Sequence, residues 1–229
     1  MMVPRFSVII PVLHEEAAIN YVLEHISSLR EAGASEIIVV DGDPEGKTIG
    51  IIRNPKVITT IAQKGRGNQM NAGAALAKGD NLVFLHADTR LPHHAFTLMD
   101  VSLRDRMYAA GAFDLAIAST RPIFRLIEKT ASLRSRLTLI PYGDQTLFFR
   151  RNYFDAIGGF AAIPIMEDVE IMRRIKRRGD RIVFIDQPVT TSARRWEKEG
   201  VFLCTLRNWF LISLYLSGVS PERLSRLYR

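Results

Sequence analysis

Four short runs of β-branched and aliphatic residues occupy the first ninety positions, and three of them break off at Pro11, at Asp41 and at His86-Ala-Asp88. The runs cover residues 6–10, 36–40, 56–61 and 82–85. Between them, residues 16–31 set Ile19, Val22, Leu23, Ile26 and Leu29 at helical spacing, with a stop near Gly33. Residues 68–78 form a second, Ala-rich helical pattern halted at Gly79. Strands alternating with helices predict an α/β fold with a mostly parallel central sheet and helices on both faces. In such a sheet the carboxyl ends of the strands share one edge, where ligands bind. An Asp after a strand is also an ordinary turn residue. The convergence of three strand ends carries the inference better than any one of them.

The second half is less regular. Residues 110–117, 145–150 and 181–185 read as strands, and 122–137 as a basic helix. Gly158-Gly159 marks a turn, and residues 167–178 read as a helix that opens on Glu167 and Asp168. Acidic residues favour a helix's first turn because they meet the positive end of its dipole. Residues 201–219 are apolar but interrupted by Arg207 and Asn208; Pro221 then starts a short helix ending in Tyr228. With no repeat and no linker, one domain spanning residues 1–229 is expected, with 197–229 as a C-terminal helical tail.

With 47% hydrophobic and 24% charged residues, the 229-residue chain can bury a core, which excludes a disordered segment. The lone Cys204 excludes an internal disulfide and a multi-cysteine metal site, and its apolar surroundings make it a packing residue. A net charge of +7 favours anionic partners: nucleotide phosphates, acidic lipid headgroups or nucleic acid. The first ten residues lack the pattern of a signal peptide, so a cytoplasmic protein is expected. Arg207 argues against residues 201–219 crossing a bilayer. That segment is expected to pack on the domain or on a second copy of the chain, with peripheral membrane contact as the remaining reading. Arg173, Arg174, Lys176, Arg177 and Arg178 read as a solvated helix face, or else as a surface for acidic lipid.

Chemistry gathers at the strand ends. Hard cations such as Mg²⁺ or Mn²⁺ bind few protein carboxylates when phosphate oxygens complete the shell, and Asp88 suits that role. Arg66, with Lys64, offers fixed positive charge to phosphates or a nucleoside, and glycines 65 and 67 would let backbone approach a ligand.

Taken in order, the segments resemble glycosyltransferase family 2. Ser7-Val-Ile-Ile-Pro-Val-Leu-His-Glu-Glu16 is similar to its opening strand and loop, and Ile37-Ile-Val-Val-Asp-Gly42 to its second strand. Lys64-Gly-Arg-Gly-Asn-Gln-Met-Asn-Ala-Gly73 resembles its third segment, Leu85-His-Ala-Asp88 its Asp-x-Asp motif, and Met166-Glu-Asp168 its Glu-Asp motif. The resemblance spans nearly the whole chain. It implies a GT-A fold and inverting, metal-dependent transfer from a nucleoside-diphosphate sugar, with UDP favoured, to an acceptor hydroxyl. Residues 1–90 would form the donor half and 91–196 the acceptor half. Asp168 would be the general base, supported by Glu167, and Asp88 the ligand of Mn²⁺ or Mg²⁺. Pro11, Val12, Leu13, Glu15, Asp41, Lys64, Arg66, His86 and Ala87 would bind the donor. Asp144, Gln145, Arg194, Arg195 and Trp196 would lie on the acceptor or diphosphate side. The compact chain is also similar to a bacterial subgroup, some of whose members carry an arsenosugar-biosynthesis label.

Three departures stand out. His86 replaces the first Asp of Asp-x-Asp, leaving Asp88 as the single expected carboxylate ligand, while the imidazole could meet ribose or the metal. The loop Asp43-Pro-Glu-Gly-Lys47 lacks the usual Ser-x-Asp. Ser192-Ala-Arg-Arg-Trp196 has Ser where processive members carry Gln, which argues against polymer synthesis. The competing readings are a sugar nucleotidyltransferase, a non-catalytic nucleotide-sugar binder, and a basic nucleic-acid or membrane-surface binder. The first lacks its Gly-rich loop. The last leaves the carboxylates unexplained, so no nucleic-acid partner is expected.

Overall fold

The structure, a computed structural model, describes residues 4–29 and 35–228. Eight strands form one sheet: β1 (Phe6–Val12), β2 (Ser35–Asp41), β3 (Ile58–Ile61), β4 (Asn81–Phe84), β5 (Thr89–Arg90), β6 (Tyr108–Ala118), β7 (Leu147–Arg150) and β8 (Arg181–Ser192). Their order is β3-β2-β1-β4-β7-β6-β8-β5. The pairs β3–β2, β2–β1, β1–β4 and β6–β8 are parallel; β7 and β5 run against their neighbours. The expected mostly parallel sheet is therefore present, with β7 reversed in its middle.

Period-two alternation along β1 builds both layers of the core. Phe6, Val8, Ile10 and Val12 pack toward α1 (Ile19–Ser28) and toward α3 (Ala95–Arg104). Ile9, with Ile38, Val40 and Phe84, packs on the other face toward α2 (Arg66–Leu76), α5 (Arg151–Ala156) and α6 (Glu167–Arg178). Helix α4 (Pro122–Thr138) lies along β6, and α7 (Arg194–Glu199), α8 (Val201–Leu216) and α9 (Pro221–Leu227) form the tail. No helix among the described residues is long and apolar enough to cross a membrane.

Several boundaries differ from those expected. Strand β1 runs through Pro11 to Val12. The Ile9 carbonyl accepts from Leu85 N–H, so strand alternation turns the Pro11 nitrogen to that same side, past the last β1–β4 pair at Ile9–Phe84. No donor is needed there. Helix α1 starts at Ile19, while its expected end at Glu31 and Gly33 lies outside the described residues. Helix α2 begins two residues early and places Arg66 at its first turn. Gln145 sits in a 3₁₀ turn before β7, and β8 continues well beyond Ile185. The register passes from Phe113–Ile185 to Asp114–Pro188, so Asp186 and Gln187 bulge out and the proline is tolerated. Helices α3, α5 and α7 were not expected.

The basic run on α6 is largely engaged. Arg174 donates to the Ile157 and Gly159 carbonyls and to Glu170, and Lys176 donates to the Thr138 carbonyl. Arg173 stacks over Tyr215, and Arg178 pairs with Asp180. Cys204 is buried, and burial raises its thiol pKa, in keeping with a packing role.

Candidate active site

Polar contacts add to the apolar packing that joins α2 to α6 around the site. Gln69 of α2 donates from one amide nitrogen to the carbonyls of Val12 (2.7 Å) and Val40 (2.8 Å), fixing the ends of β1 and β2. Gly67 lets α2 press against the chain before α6, because a Cβ there would stand 2.5 Å from the Ala161 carbonyl oxygen. That glycine thus serves approach to the protein's own backbone, not to a ligand as expected. Across this contact the Arg66 guanidinium pairs with Glu167 at 2.7 Å. Glu167 is 2% exposed; burial raises its pKa and Arg66 opposes the rise. Three loops around the site hold non-glycine residues at positive φ: His14 (56°), Thr146 (52°) and Met166 (70°). Met166 directly precedes the α6 turn that carries Glu167 and Asp168, a strained backbone of the kind found at functional sites.

A cavity of about 190 Å³ brings Arg66, His86, Asp88, Asp144, Asp168 and Arg195 together. Asp168 accepts from the Gly143 N–H (2.7 Å) and from Val169 N–H (2.8 Å), which fixes its carboxylate at the start of α6. Gly143 separates His86 from Asp168: a Cβ there would lie 2.9 Å from His86 Nε2 and 3.4 Å from Asp168 Oδ2. Burial and the nearby Arg66 push His86 down to about 4, so its imidazole is neutral at ordinary pH and bonds without carrying charge. Burial lifts Asp144 to about 6, opposed by Arg134 and reinforced by Asp168. Asp88 is raised by burial, with Arg194 opposing. Arg194 donates to both oxygens of Glu15 (2.5 and 2.8 Å) and stands 3.5 Å from Asp88, so Glu15, Arg194 and Asp88 form one chain of alternating charge.

Other expected site residues lie elsewhere. Asp41 is fully buried, and its carboxylate accepts from the N–H groups of Asp43 (2.9 Å), Thr48 (3.0 Å) and Ile49 (3.3 Å). It shapes the loop after β2 instead of facing a nucleoside. Asp43 in that loop keeps a buried Oδ2 without a hydrogen-bond partner, 3.9 Å from His14 Nδ1. Pro11, Val12 and Ala87 are buried, Leu13 is half-buried, and Lys64 is exposed; none lines the cavity. Gln145 is also fully buried, accepting from Ser135 Oγ and donating to the Phe113 carbonyl (3.0 Å), so it braces α4 against β6 and does not face an acceptor. Trp196 lines the cavity and packs edge-on against Phe124. The tail contributes Asn208 and Tyr228, which belong to no motif in the sequence; Arg195 and Arg207 both stack on the Tyr228 ring. No local pattern around Tyr228 announces that role.

Residues 7–166 match glycosyl transferase family 2. The chain belongs to that family. It is 29% identical over 185 residues to a PGL/p-HBAD biosynthesis glycosyltransferase of Mycobacterium bovis, covering 70% of this chain and 64% of that one. A glucosyl-3-phosphoglycerate synthase of Mycobacterium tuberculosis is 31% identical over 99 residues, 39% of this chain and 31% of its own. Among solved structures, the mannosyltransferase PcManGT of Pyrobaculum calidifontis, in complex with GDP-Man and Mn²⁺, superposes with a TM-score of 0.60 at 20% identity. That likeness covers 82% of this chain and 56% of the other. TarS of S. aureus gives a TM-score of 0.63 at 14% identity over 96% of this chain and 68% of the TarS chain. These likenesses show the GT-A fold that the sequence led us to expect.

For a family 2 member the carboxylates fit a metal in one way only. Among the described residues no group of three or more His, Cys, Asp or Glu side chains could hold an ion. Asp88 can supply one oxygen ligand, and diphosphate oxygens would have to supply most of the rest, as hard cations allow.

Proposed function

We propose that this family 2 protein transfers a sugar from a nucleoside-diphosphate donor to an acceptor hydroxyl, with inversion and with the aid of Mn²⁺ or Mg²⁺. The observation that carries the reading is the single cavity in which Asp88 and Asp168 meet Arg66, His86 and Asp144. Support comes also from the GDP-Man and Mn²⁺ of the PcManGT complex and the UDP-GlcNAc of a TarS complex. UDP is our first choice of donor nucleotide. Asp168, held by the Gly143 N–H, takes the proton of the attacking hydroxyl. Glu167 positions Arg66, which faces the donor. Asp88 would hold a divalent cation, whose positive charge would offset the negative charge of the leaving diphosphate. Arg194, anchored by Glu15, adds fixed charge beside it. Residues 1–90 form the donor half, 91–196 the acceptor half, and 197–229 a tail that closes the cavity.

A thermal-shift screen of UDP-, GDP-, dTDP- and CDP-sugars with Mn²⁺, Mg²⁺ or EDTA tests this. We expect a metal-dependent rise with one donor, lost in Asp88→Ala and kept in Asp168→Asn. Asp168→Asn should slow nucleotide release from the donor by about 10²–10⁴-fold, the usual worth of a positioned base. Equal loss of donor binding in both variants would overturn the division of roles. A rise unaffected by EDTA would shift the neutralising charge to Arg194.

A further inference from the structure

Between α4 and α8 runs a second cavity of about 540 Å³, walled largely by Leu115, Ile127, Ala131, Leu137, Trp209 and Ile212. It is continuous with the reacting centre, because Tyr142, Asp144, Trp196, Asn208 and Ile212 line both cavities. Its α4 wall reaches from Ile127 to Thr138, about 16 Å at ~1.5 Å per residue. That is about half the ~30 Å hydrocarbon thickness of a bilayer. Tyr142, Asp144 and Asn208 stand at the end shared with the first cavity. There Arg134 stacks 3.3 Å from the Tyr142 ring centre, donates to Ser135 Oγ, and keeps a buried Nε without a partner. At the outer rim Leu133, Leu137 and Trp209 are more than half exposed, and α8 also exposes Phe202, Leu206 and Phe210.

Carboxylates at one end and a long apolar trough leading away from them match a ligand with a hydroxylated head and a hydrocarbon chain. We propose that the acceptor is such an amphiphile, its chain lying between α4 and α8 and its hydroxyl directed at Asp144 and Asp168. The proposal rests on the transferase reading above. A second copy of the chain would account for the exposed rim, but not for a trough that runs inward to the carboxylates.

Both tryptophans of the chain, Trp196 and Trp209, line this trough, so intrinsic fluorescence reports its occupancy. The probe is dodecyl glucoside brominated on its chain, kept below its micelle-forming concentration. Saturable quenching is expected, reversed by unlabelled dodecyl glucoside and not by methyl glucoside. Ala131→Phe, which fills the trough, should weaken the probe's binding at least tenfold while leaving the metal-dependent shift with donor intact. Leu137→Glu, at a position 74% exposed and therefore safe for folding, should act in the same direction. Linear, unsaturable quenching, equal quenching in both variants, or a stable dimer that abolishes quenching would overturn the proposal. A donor-induced shift without quenching would sink the amphiphile alone. Quenching with no shift from any donor would sink the transferase reading and the acceptor role with it.

Discussion

Asp144 lies where the polar cavity meets the apolar trough, and its elevated pKa of about 6 has a consequence for stability. Its ordinary value is 3.8, so between roughly pH 3.8 and 6 the folded protein binds a proton that the unfolded chain does not. The resulting stabilisation is complete below that window and is lost as pH rises through about 6. Asp144→Asn removes this dependence. In metal-free protein it should flatten the stability profile between pH 4 and 6. At pH 7.5 it should raise stability on the order of 1 kcal/mol, discounted for the partial exposure of the carboxylate. Melting curves across pH decide it, and an unchanged slope in the variant would exclude Asp144 as the titrating group. Residues of this kind mark how far a sequence can be read. Asp88 and Asp168 were legible from their motifs and do share a cavity. Asp41 and Gln145 looked equivalent in sequence, yet their polar atoms bond to the chain's own backbone and to Ser135. Adjacent residues do not encode whether a side chain turns into its own loop or outward to a ligand.

Among the elements, α2 shows how helix placement conveys geometry to the site. Gly73 faces the sheet, where a Cβ would stand 2.5 Å from Ile9 Cγ2; Gly67 faces the Ala161 carbonyl and Glu167. Both should resist substitution, for different reasons. Gly73→Ala overpacks a core contact and should cost about 1–3 kcal/mol of stability, with turnover per folded molecule nearly unchanged. Gly67→Ala forces α2 away from the segment before α6 and disturbs the Arg66–Glu167 pair. It should lower stability by a similar amount and turnover on the order of 10²-fold, the scale expected for a misplaced catalytic group. Melting temperature and nucleotide release measured side by side separate the two, and matching turnover in both variants would deny α2 this role. The period of apolar residues revealed α1, the Ala-rich run before Gly79 revealed α2, and the β-branched runs revealed the first parallel strands. Such patterning missed the end of β8, where a bulge at Asp186 and Gln187 ahead of Pro188 breaks the alternation. It also missed α5 and α7, each too short to show a helical stripe, and the ten-residue α3, to which that reason does not apply.

At the scale of the molecule, the tail packs against the start of α6, which carries the proposed base. Leu211 of α8 and Leu224 of α9 are buried in one cluster with Ile165, Met166 and Val169, the residues that flank Glu167 and Asp168. Tyr228, stacked on Arg195 and Arg207, lines the same cavity. Sequence separates these parts by about fifty positions, and the apolar run 201–219 shows only that something must be covered, not that it covers the segment around Asp168. If the tail holds the start of α6 in place, weakening it should loosen Asp168, the proposed base, before it loosens the sheet. Leu224→Ala empties a fully buried site and should cost about 2–5 kcal/mol locally. Hydrogen exchange should accelerate across residues 165–169 and 221–228 while β1, β2 and β4 keep their protection, because local opening draws on the least stable contacts first. Donor binding should persist and nucleotide release should fall. Uniform acceleration over all strands would mean that the tail stabilises the fold as a whole and has no particular hold on Asp168.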